Sequence, residues 1–352
     1  MKEWTTKYNS FNSLKALVHV KYWEQVKQGI IPPPIFVSID PCGACNLHCP
    51  HCNAENALSK SNNIMSNDLI DKIVKTLNVW GTKAICIAGG GEPLLSRGTD
   101  YLINKLSDYN KSVAVITNGT IVRDLETLLR CEYIGVSVDA ATNQTWQKMK
   151  GNGKDTLDLN QVFNNIRKLS GKGTEITYKY LLLPGNHHEV YEACRIAKDL
   201  GCDQLHMRPG GVPWFGGKKD DYSFTPLQQQ YVSSQIELAR ADFECDTFKI
   251  YGILHKFSDS WEVKNTFDKC WACYTTGYFS SDGRFGLCCD RRGDEHIMLC
   301  NIDDCIQAWG NDKHKQIHNS ISINECPRCT YSVINEIFEH VILKDTTLYN
   351  FF

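Results

Sequence analysis

Short apolar segments alternate with amphipathic segments over the first 210 residues of the chain. The apolar segments are rich in Val, Ile, Leu and Tyr, which is typical of buried strands. Between them, apolar residues recur at helical spacing, as in SNDLIDKIVKTLNVWG, where Ser66 is placed to cap a helix. The predicted strands read IFVSI, KAICIA, SVAVI, YIGVSV, EITYKYLLL and QLHMR. The predicted helices lie between them, near 66–81, 98–109, 122–130, 158–170 and 187–200.

This alternation predicts the fold class. Strands that are apolar on both faces and alternate with helices form parallel sheets. Six such βα units span residues 35–210, whereas a full eight-unit barrel takes about 250 residues. We therefore expect an α/β fold whose main domain is a partial, open (β/α)6 barrel. In such barrels the chemistry lies at the carboxyl ends of the strands, and the motifs described below fall at those ends.

Three further regions flank the predicted barrel. Residues 1–34 are expected to form an N-terminal helical segment, which the prolines of IIPPP end. Residues 211–260 are predicted to be a linker or active-site loop, rich in glycine and aromatic residues, followed by a helix near 226–241. Residues 261–352 are predicted to be a separate cysteine-rich subdomain.

Charge and composition narrow the function classes. The 352-residue chain has a formal net charge of −2, so it lacks the basic excess that polynucleotide binding normally needs. No apolar run is long enough for a transmembrane helix, and the polar N-terminus does not resemble a signal peptide. We expect a cytoplasmic protein with no nucleic-acid or membrane partner.

The 17 cysteines fall into two kinds. Four lie between residues 42 and 52 and eight between 270 and 329, and such clusters in a reducing compartment indicate metal binding rather than disulfides. The remaining thiols sit singly in apolar or helical contexts, where free cysteine packs as a small hydrophobe. These are Cys86, Cys131, Cys194, Cys202 and Cys245.

The first cluster contains the spacing C-x3-C-x2-C, formed by Cys45, Cys49 and Cys52. Three thiolates can hold three irons of a [4Fe–4S] cube and leave the fourth iron open to another ligand. A zinc site is the alternative, and it would want a fourth ligand. Cys42, His48 and His51 are the candidates for that fourth ligand.

The triad and its surroundings resemble the radical S-adenosylmethionine (SAM) superfamily. The triad follows the first predicted strand, GGGEP follows the second, TNG closes the third and SVDA closes the fourth. The resemblance covers residues 35–210 and assigns Cys42 to the loop rather than to the ligands. It implies a set of cofactor-binding residues comprising His51, Gly90, Gly91, Glu92, Pro93, Asn118, Ser137 and Asp139.

The same resemblance implies the chemistry. SAM would chelate the open iron, with its amino group hydrogen-bonded by Glu92. A flavodoxin- or ferredoxin-type reductant would supply one electron, and the resulting 5′-deoxyadenosyl radical would take a hydrogen atom from the substrate. Lys179 and Arg208, on the fifth and sixth strands, could pair with the SAM carboxylate or with an acidic substrate.

The second cysteine cluster resembles the start of the SPASM and twitch extensions of radical enzymes. Cys273 and Cys288 fit C-x9-G-x4-C, with Asp282-Gly283 as a hairpin turn signal, and CPRC supplies a later pair. Because no cysteine follows, we expect one auxiliary [4Fe–4S] cluster, as in the twitch arrangement. Its expected ligands come from Cys270, Cys273, Cys288, Cys326 and Cys329.

Three alternatives for this segment stay open. Cys270, Cys273 and Cys288 alone could leave an iron free to bind substrate. If Cys289, Cys300 and Cys305 also serve, eight thiols could hold two auxiliary clusters. A structural zinc ribbon would also use such cysteines.

The substrate is predicted less directly. Length, composition and the short cysteine tail are similar to those of queuine lyases, which implies a small molecule and C–N cleavage. The alternatives are a peptide or protein maturase and a non-catalytic electron carrier, although a carrier needs no GGGEP. Groups that could hold a guanine-like edge are His206, Arg208, Trp214, Phe215, Asp220, Asp221, Asp290 and Arg291.

Overall fold

The computed structural model describes most of the chain in side-chain detail. The described residues are 11, 13–54, 63–151, 157–212, 222–253, 257, 266–326 and 328–344. Trp214, Phe215, Asp220 and Asp221, which were predicted as possible substrate contacts, lie outside these ranges.

Within the described ranges, ten strands form one continuous sheet in the order β10-β9-β8-β1-β2-β3-β4-β5-β6-β7. Strands β1 to β7 pair in parallel, as does β8 with β1, while β9 and β10 are antiparallel. The strands are β1 Phe36–Ile39, β2 Ala84–Ile87, β3 Ser112–Thr117, β4 Tyr133–Ser137, β5 Glu175–Leu182, β6 Gln204–Pro209, β7 Lys249–Gly252, β8 Thr276–Phe279, β9 Arg284–Gly286 and β10 Met298–Asn301.

The helices between the strands follow the predicted pattern with shorter bounds. Ser66 caps the second helix by accepting from the Leu69 N–H at 3.2 Å, and Gly81 ends it in the left-handed region. The helices are α1 Val20–Lys27, α2 Asn67–Trp80, α3 Gly98–Asp108, α4 Leu125–Leu128, α5 Asn143–Lys150, α6 Leu159–Leu169, α7 Val190–Asp199, α8 Pro226–Phe243, α9 Cys305–Ala308, α10 Asp312–Ser320 and α11 Ser332–Glu336.

The register of the sheet sets the inner wall of the barrel. Ser38 of β1 is level with Cys86 of β2, and Lys179 of β5 is level with His206 of β6, which in turn is level with Tyr251 of β7. All five of these residues line one internal cavity. The sheet and its helices share one apolar core, so these polar side chains face inward from a well-packed wall.

The sheet is larger than the six strands predicted from the sequence. Residues 211–260 contain a further parallel strand, β7, in addition to the predicted helix α8. The predicted Asp282-Gly283 hairpin forms, and its first strand joins the barrel sheet beside β1. The cysteine-rich region is therefore continuous with the barrel through one sheet, which short strands such as KIYG and TGYF do not reveal in sequence.

Helix α5 was not predicted. Its sequence, NQTWQKMK, is polar except for Trp146 and Met149, both of which are buried. Thr142 caps it by accepting from the Thr145 N–H. This helix matters for the site because it ends at Lys150.

Candidate active site

The three predicted cluster cysteines lie together in the loop after β1. Cys45, Cys49 and Cys52 are half-buried, and their thiols influence one another electrostatically. All three line a cavity of about 1520 Å³. The same cavity is lined by most of the predicted cofactor-binding residues, namely Gly90, Gly91, Glu92, Asn118, Ser137, Lys179 and Arg208.

Backbone hydrogen bonds hold the cysteine loop against the GGGEP segment. The Gly91 N–H donates to the Cys42 carbonyl at 2.9 Å, and the Glu92 N–H donates to the Ala44 carbonyl at 2.8 Å. A Cβ at Gly91 would lie 2.0 Å from the Ala44 carbonyl oxygen. Glycine is therefore required at this position, because no side-chain atom fits between the two segments.

Cys42 is part of this packing. Its side chain is fully buried, and it forms an isolated β-bridge with Ile64. It does not line the cavity formed by the described residues. This position is compatible with the prediction that Cys42 belongs to the loop and is not a cluster ligand.

The Glu92 carboxylate joins the ends of β2 and β3. It is 3% exposed and accepts hydrogen bonds from the Leu94 N–H at 3.0 Å, the Thr117 hydroxyl at 2.6 Å and the Asn118 N–H at 2.7 Å. Burial raises the pKa of Glu92. A carboxylate offers about four lone-pair positions, so the protein itself uses most of them and leaves limited capacity for a cofactor amino group.

A second group of buried charged residues lies beside the cysteine loop. Its lysine, Lys150, was not predicted from the sequence. Lys150 forms an ion pair with Asp139, both almost fully buried. His51 Nε2 lies 3.8 Å from the same carboxylate, and the Leu181 N–H donates to it at 2.6 Å. Burial by itself would raise the pKa of the Asp139 carboxyl. Lys150 and His51 outweigh burial and hold this pKa well below its usual range.

Among the described residues, three predicted cofactor-binding residues, His51, Pro93 and Asp139, do not line the cavity, and their contact with SAM stays a prediction. Asp139 is occupied by Lys150, and buried Pro93 begins the short 3-10 turn Pro93–Leu95. Lys150 lines the cavity in their place and is an electrostatic neighbour of Cys45 and Cys49. A lysine at the polar end of an unpredicted helix carries no sequence signal for this role.

The predicted auxiliary ligands also converge. Cys270 is an electrostatic neighbour of Cys273, Cys288, Cys326 and Cys329. The Cys273 thiol donates to the Cys270 carbonyl at 3.0 Å and is 1% exposed within the apolar core. Residues from the start, the hairpin and the end of the C-terminal region therefore meet at one place, as a single cluster would require.

The three remaining cysteines lie in two places, and only Cys289 is an electrostatic neighbour of the predicted ligand Cys288. Cys289 lies 3.3 Å from the Tyr331 hydroxyl and lines the main cavity. The Cys300 and Cys305 sulfurs lie 3.3 Å from each other, on β10 and α9. This separation gives no geometric support for a second auxiliary cluster built from these thiols.

Paired charges lie where the C-terminal region meets the cavity. Asp290 accepts from Arg328 at 2.9 Å and from the Thr330 N–H at 2.7 Å. Arg292 binds Asp40 at 2.6 Å. Of the two neighbouring residues predicted as possible substrate contacts, Asp290 lines the cavity, whereas Arg291 pairs with Asp294, three residues on.

The donor sets suit iron–sulfur clusters. Each group supplies thiols, and the glycine at position 91 leaves a side-chain-free backbone beside the first group. Within the described ranges, no three or more His, Cys, Asp or Glu side chains are arranged to hold one metal ion. In a [4Fe–4S] cube each thiolate binds a different iron, so cluster ligands stand farther apart than the ligands of a single ion.

Residues 39–197 match the family model of the radical SAM superfamily. This segment, slightly less than half of the chain, is a radical SAM domain, and the chain is an enzyme. Solved structures superpose on most of the fold. Streptococcus suis SuiB bound to the precursor peptide SuiA covers 87% of this chain and 71% of its own, with a TM-score of 0.67 and 17% identity. The enzyme anSMEcpe with bound AdoMet (SAM) covers 86% and 89%, with a TM-score of 0.61 and 19% identity.

Curated relatives carry two kinds of name. A GTP 3′,8-cyclase of Clostridium botulinum is 29% identical over 301 residues, covering 81% of this chain and 89% of the relative. A probable GTP 3′,8-cyclase of Methanocaldococcus jannaschii is 28% identical over 162 residues, 45% of this chain and 53% of the relative. The antilisterial bacteriocin subtilosin biosynthesis protein AlbA of Bacillus subtilis is 24% identical over 177 residues, 48% of this chain and 38% of the relative.

The radical SAM domain implies a [4Fe–4S] cluster, SAM and an external reductant. None of the helices in the described part of the chain is long and apolar enough to cross a membrane.

Proposed function

We propose that the protein is a radical SAM enzyme acting on a small molecule bound inside the barrel, between two iron–sulfur clusters. The observation that carries this proposal is the single cavity. Cys45, Cys49 and Cys52 line one part of it, while Cys289 and Asp290, next to the auxiliary thiols, line another. A substrate in this cavity would lie beside the first cysteine group and beside Cys289 and Asp290, the neighbours of the predicted auxiliary ligand Cys288.

In this proposal, separate groups of residues hold the two clusters, bind SAM and orient the substrate. Cys45, Cys49 and Cys52 would hold the first cluster, and Cys270, Cys288, Cys326 and Cys329, with Cys273 beside them, would hold the auxiliary one. When bound, the first cluster and SAM supply reductive cleavage of SAM and hydrogen-atom abstraction from the substrate. Gly90, Gly91, Asn118 and Ser137 would bind SAM, and the barrel wall would orient the substrate and exclude water. A flavodoxin- or ferredoxin-type protein in the cytoplasm would be the reductant.

A small molecule is favoured because polar side chains project from within the strands that form the inner wall. Ser38, Lys179, His206 and Tyr251 line the cavity from within their strands. Such a wall suits a compact polar ligand that enters the barrel. The long match to enzymes named GTP 3′,8-cyclase, over 81% of this chain, also favours a small-molecule substrate.

Peptide modification is the second candidate. The resemblance to SuiB and to AlbA supports it, since SuiB is solved with a precursor peptide and AlbA is named for bacteriocin biosynthesis. Queuine, the substrate suggested by the sequence, receives no support from these relatives and enters the test as one compound among several.

The first test is biochemical. Protein purified without oxygen should contain roughly eight irons and eight sulfides per chain for two clusters. With dithionite and SAM it should release 5′-deoxyadenosine. Cys49→Ala should abolish this release, whereas Cys42→Ala, which removes a buried thiol of the same loop, should keep it. Stoichiometric zinc without sulfide, or no SAM cleavage by the fully loaded protein, would refute the proposal.

The second test concerns the substrate class. The loaded enzyme is incubated with a panel that includes queuine, GTP and short peptides containing Cys or Ser, and the products are read by mass spectrometry. We expect 5′-deoxyadenosine formation to be stimulated by a small molecule. Stimulation by the peptides alone would assign the chain to the maturases.

A further inference from the structure

Two cations stand next to each other on the inner wall of the barrel. Lys179 on β5 and Arg208 on β6 both line the cavity. Lys179 is level with His206, and Leu181 is level with Arg208. Residues two apart in a strand share a face, so the two cations project from the same face of neighbouring strands.

The strand beside Lys179 makes room for its side chain. A Cβ at Gly135 on β4 would lie 2.7 Å from Lys179 Cδ and 2.9 Å from Ile116 Cδ1. The glycine thus lets the lysine stem lie along the sheet while its ammonium group faces the cavity. This packing keeps the ammonium group in one place without an ion-pair partner.

Nearby carboxylates are already paired with other cations. Asp40 binds Arg292 at 2.6 Å and Asp290 binds Arg328 at 2.9 Å, while Asp139 binds Lys150. Among the described residues, neither Lys179 nor Arg208 forms an ion pair. A charge held away from water without a counter-charge costs free energy, and a bound anion would remove that cost.

The positive charge of each side chain also disfavours the protonated form of the other. Burial and the neighbouring Arg208 lower the pKa of Lys179 to about 8. Burial and Arg328 lower the pKa of Arg208. An anion between Lys179 and Arg208 would reverse both effects, since an opposite charge stabilises the protonated form.

The position of the pair favours the substrate over SAM as the source of the anion. The residues that influence Arg208 most are Arg328, Asp290 and Cys289, all in the C-terminal region. The cation beside Cys45 and Cys49 is instead Lys150. Arg208 therefore lies on the auxiliary side of the cavity, and Lys179 lies between Arg208 and Asp139.

We propose that Lys179 and Arg208 form a subsite for a phosphate or carboxylate group of the substrate. This inference rests on the proposed function, because it assumes that the substrate occupies this cavity. An arginine fork beside a lysine point charge matches the oxygens of such a group. The subsite therefore requires the substrate to be an anion.

The experiment measures anion binding to the anaerobically reconstituted full-length protein. Inorganic pyrophosphate and citrate are titrated by calorimetry, in the absence and presence of saturating SAM. The variants are Lys179→Met and Arg208→Met, with Lys172→Met, an exposed lysine, as the control. Replacing a half-buried cation that has no ion-pair partner by a neutral side chain should not harm folding, and iron content verifies this.

We expect at least one of the two anions to bind the wild type with or without SAM. Each of the two cavity variants should weaken binding by tenfold or more, while Lys172→Met binds as the wild type does. Equal binding to all variants, competition between the anion and SAM, or no binding of either anion to the wild type would each overturn the subsite. If the same wild-type sample still releases 5′-deoxyadenosine from SAM, only the subsite is refuted and the proposed function stands.

Discussion

At the scale of single residues, the cavity depends on how buried charges are paired. Asp139 adopts a left-handed backbone conformation with φ of 62°, which aspartate tolerates better than most residues. Its carboxylate then meets both Lys150 and the Leu181 N–H. Lys150 in turn lies beside Cys45 and Cys49. One strained aspartate therefore positions the cation next to the cysteine loop.

Lys150→Met should destabilise the protein by about 3–5 kcal/mol, because the Asp139 carboxylate would stay buried without its cation. Thermal unfolding of the metal-free protein measures this. The double variant Lys150→Met/Asp139→Asn should recover much of the loss, since it removes both charges.

The matched control is Lys72→Met, which breaks the exposed pair of Lys72 with Asp303. Exposed pairs contribute about 0–1 kcal/mol, so this change should be small. A double variant at positions 150 and 139 that is no more stable than Lys150→Met would contradict the electrostatic explanation.

The pKa of Lys179, lowered to about 8 by burial and by Arg208, predicts a pH dependence. The protonated form attracts an anion, so affinity should be full below this pKa and fall as pH rises through it. Sulfate is the probe, because its charge does not change between pH 6.5 and 9.5. Cys86, the nearby thiol, has its pKa raised to about 12 by burial and stays neutral over this range.

Calorimetric titration with sulfate across this range measures the effect. Lys179→Arg should bind sulfate with little pH dependence, because arginine stays charged. A wild-type affinity that is constant through pH 8 would show that Lys179 is not the group that controls binding.

At the scale of elements, the site depends on close contact between the cysteine loop and the segment after β2. Gly91→Ala would bring a Cβ to 2.0 Å from the Ala44 carbonyl oxygen. Because the contact is with backbone on both sides, the loop must shift. We expect the variant to fold with a reduced iron content at the first cluster and with reduced 5′-deoxyadenosine formation.

Gly29→Ala is the control for this substitution. Gly29 has a φ of 80° and nothing near its Cβ position, so alanine there adds backbone strain of about 1 kcal/mol without a clash. Equal iron content in the Gly91→Ala and Gly29→Ala variants would argue against the close-contact explanation.

At the scale of the whole molecule, one sheet connects the two cysteine groups. The hairpin strand β8 pairs with β1, the strand that leads into the first cysteine loop. Two neighbouring residues in this region have different surroundings. Cys288 lies beside the auxiliary thiols, and Cys289 lines the cavity. The two cysteines should therefore respond differently to substitution.

Cys288→Ala should lower the iron content from roughly eight to roughly four per chain, because the auxiliary cluster would lose a ligand. Cys289→Ala should keep close to eight, since its thiol contacts Tyr331. Iron and sulfide analysis with electron paramagnetic resonance of the reduced protein distinguishes the two. Equal iron loss in both variants would mean that Cys289 is also a ligand.

Sequence patterns alone predicted the order of six βα units, the three-cysteine loop after the first strand and the turn of the C-terminal hairpin. These features are local: hydrophobic periodicity, cysteine spacing and turn residues act over a few neighbouring positions. Lys179 and Arg208 were also recognised, because polar residues in otherwise apolar strands stand out.

Tertiary structure decided which charges meet. Asp139 was predicted to bind cofactor, and its carboxylate also pairs with a lysine from a helix without a clear apolar pattern. Asp290 pairs with Arg328, 38 residues away. Strand β8 was assigned to a separate subdomain, but it joins the barrel. Ion pairs and strand pairings between distant segments depend on the packed arrangement of the whole chain, which no local pattern contains.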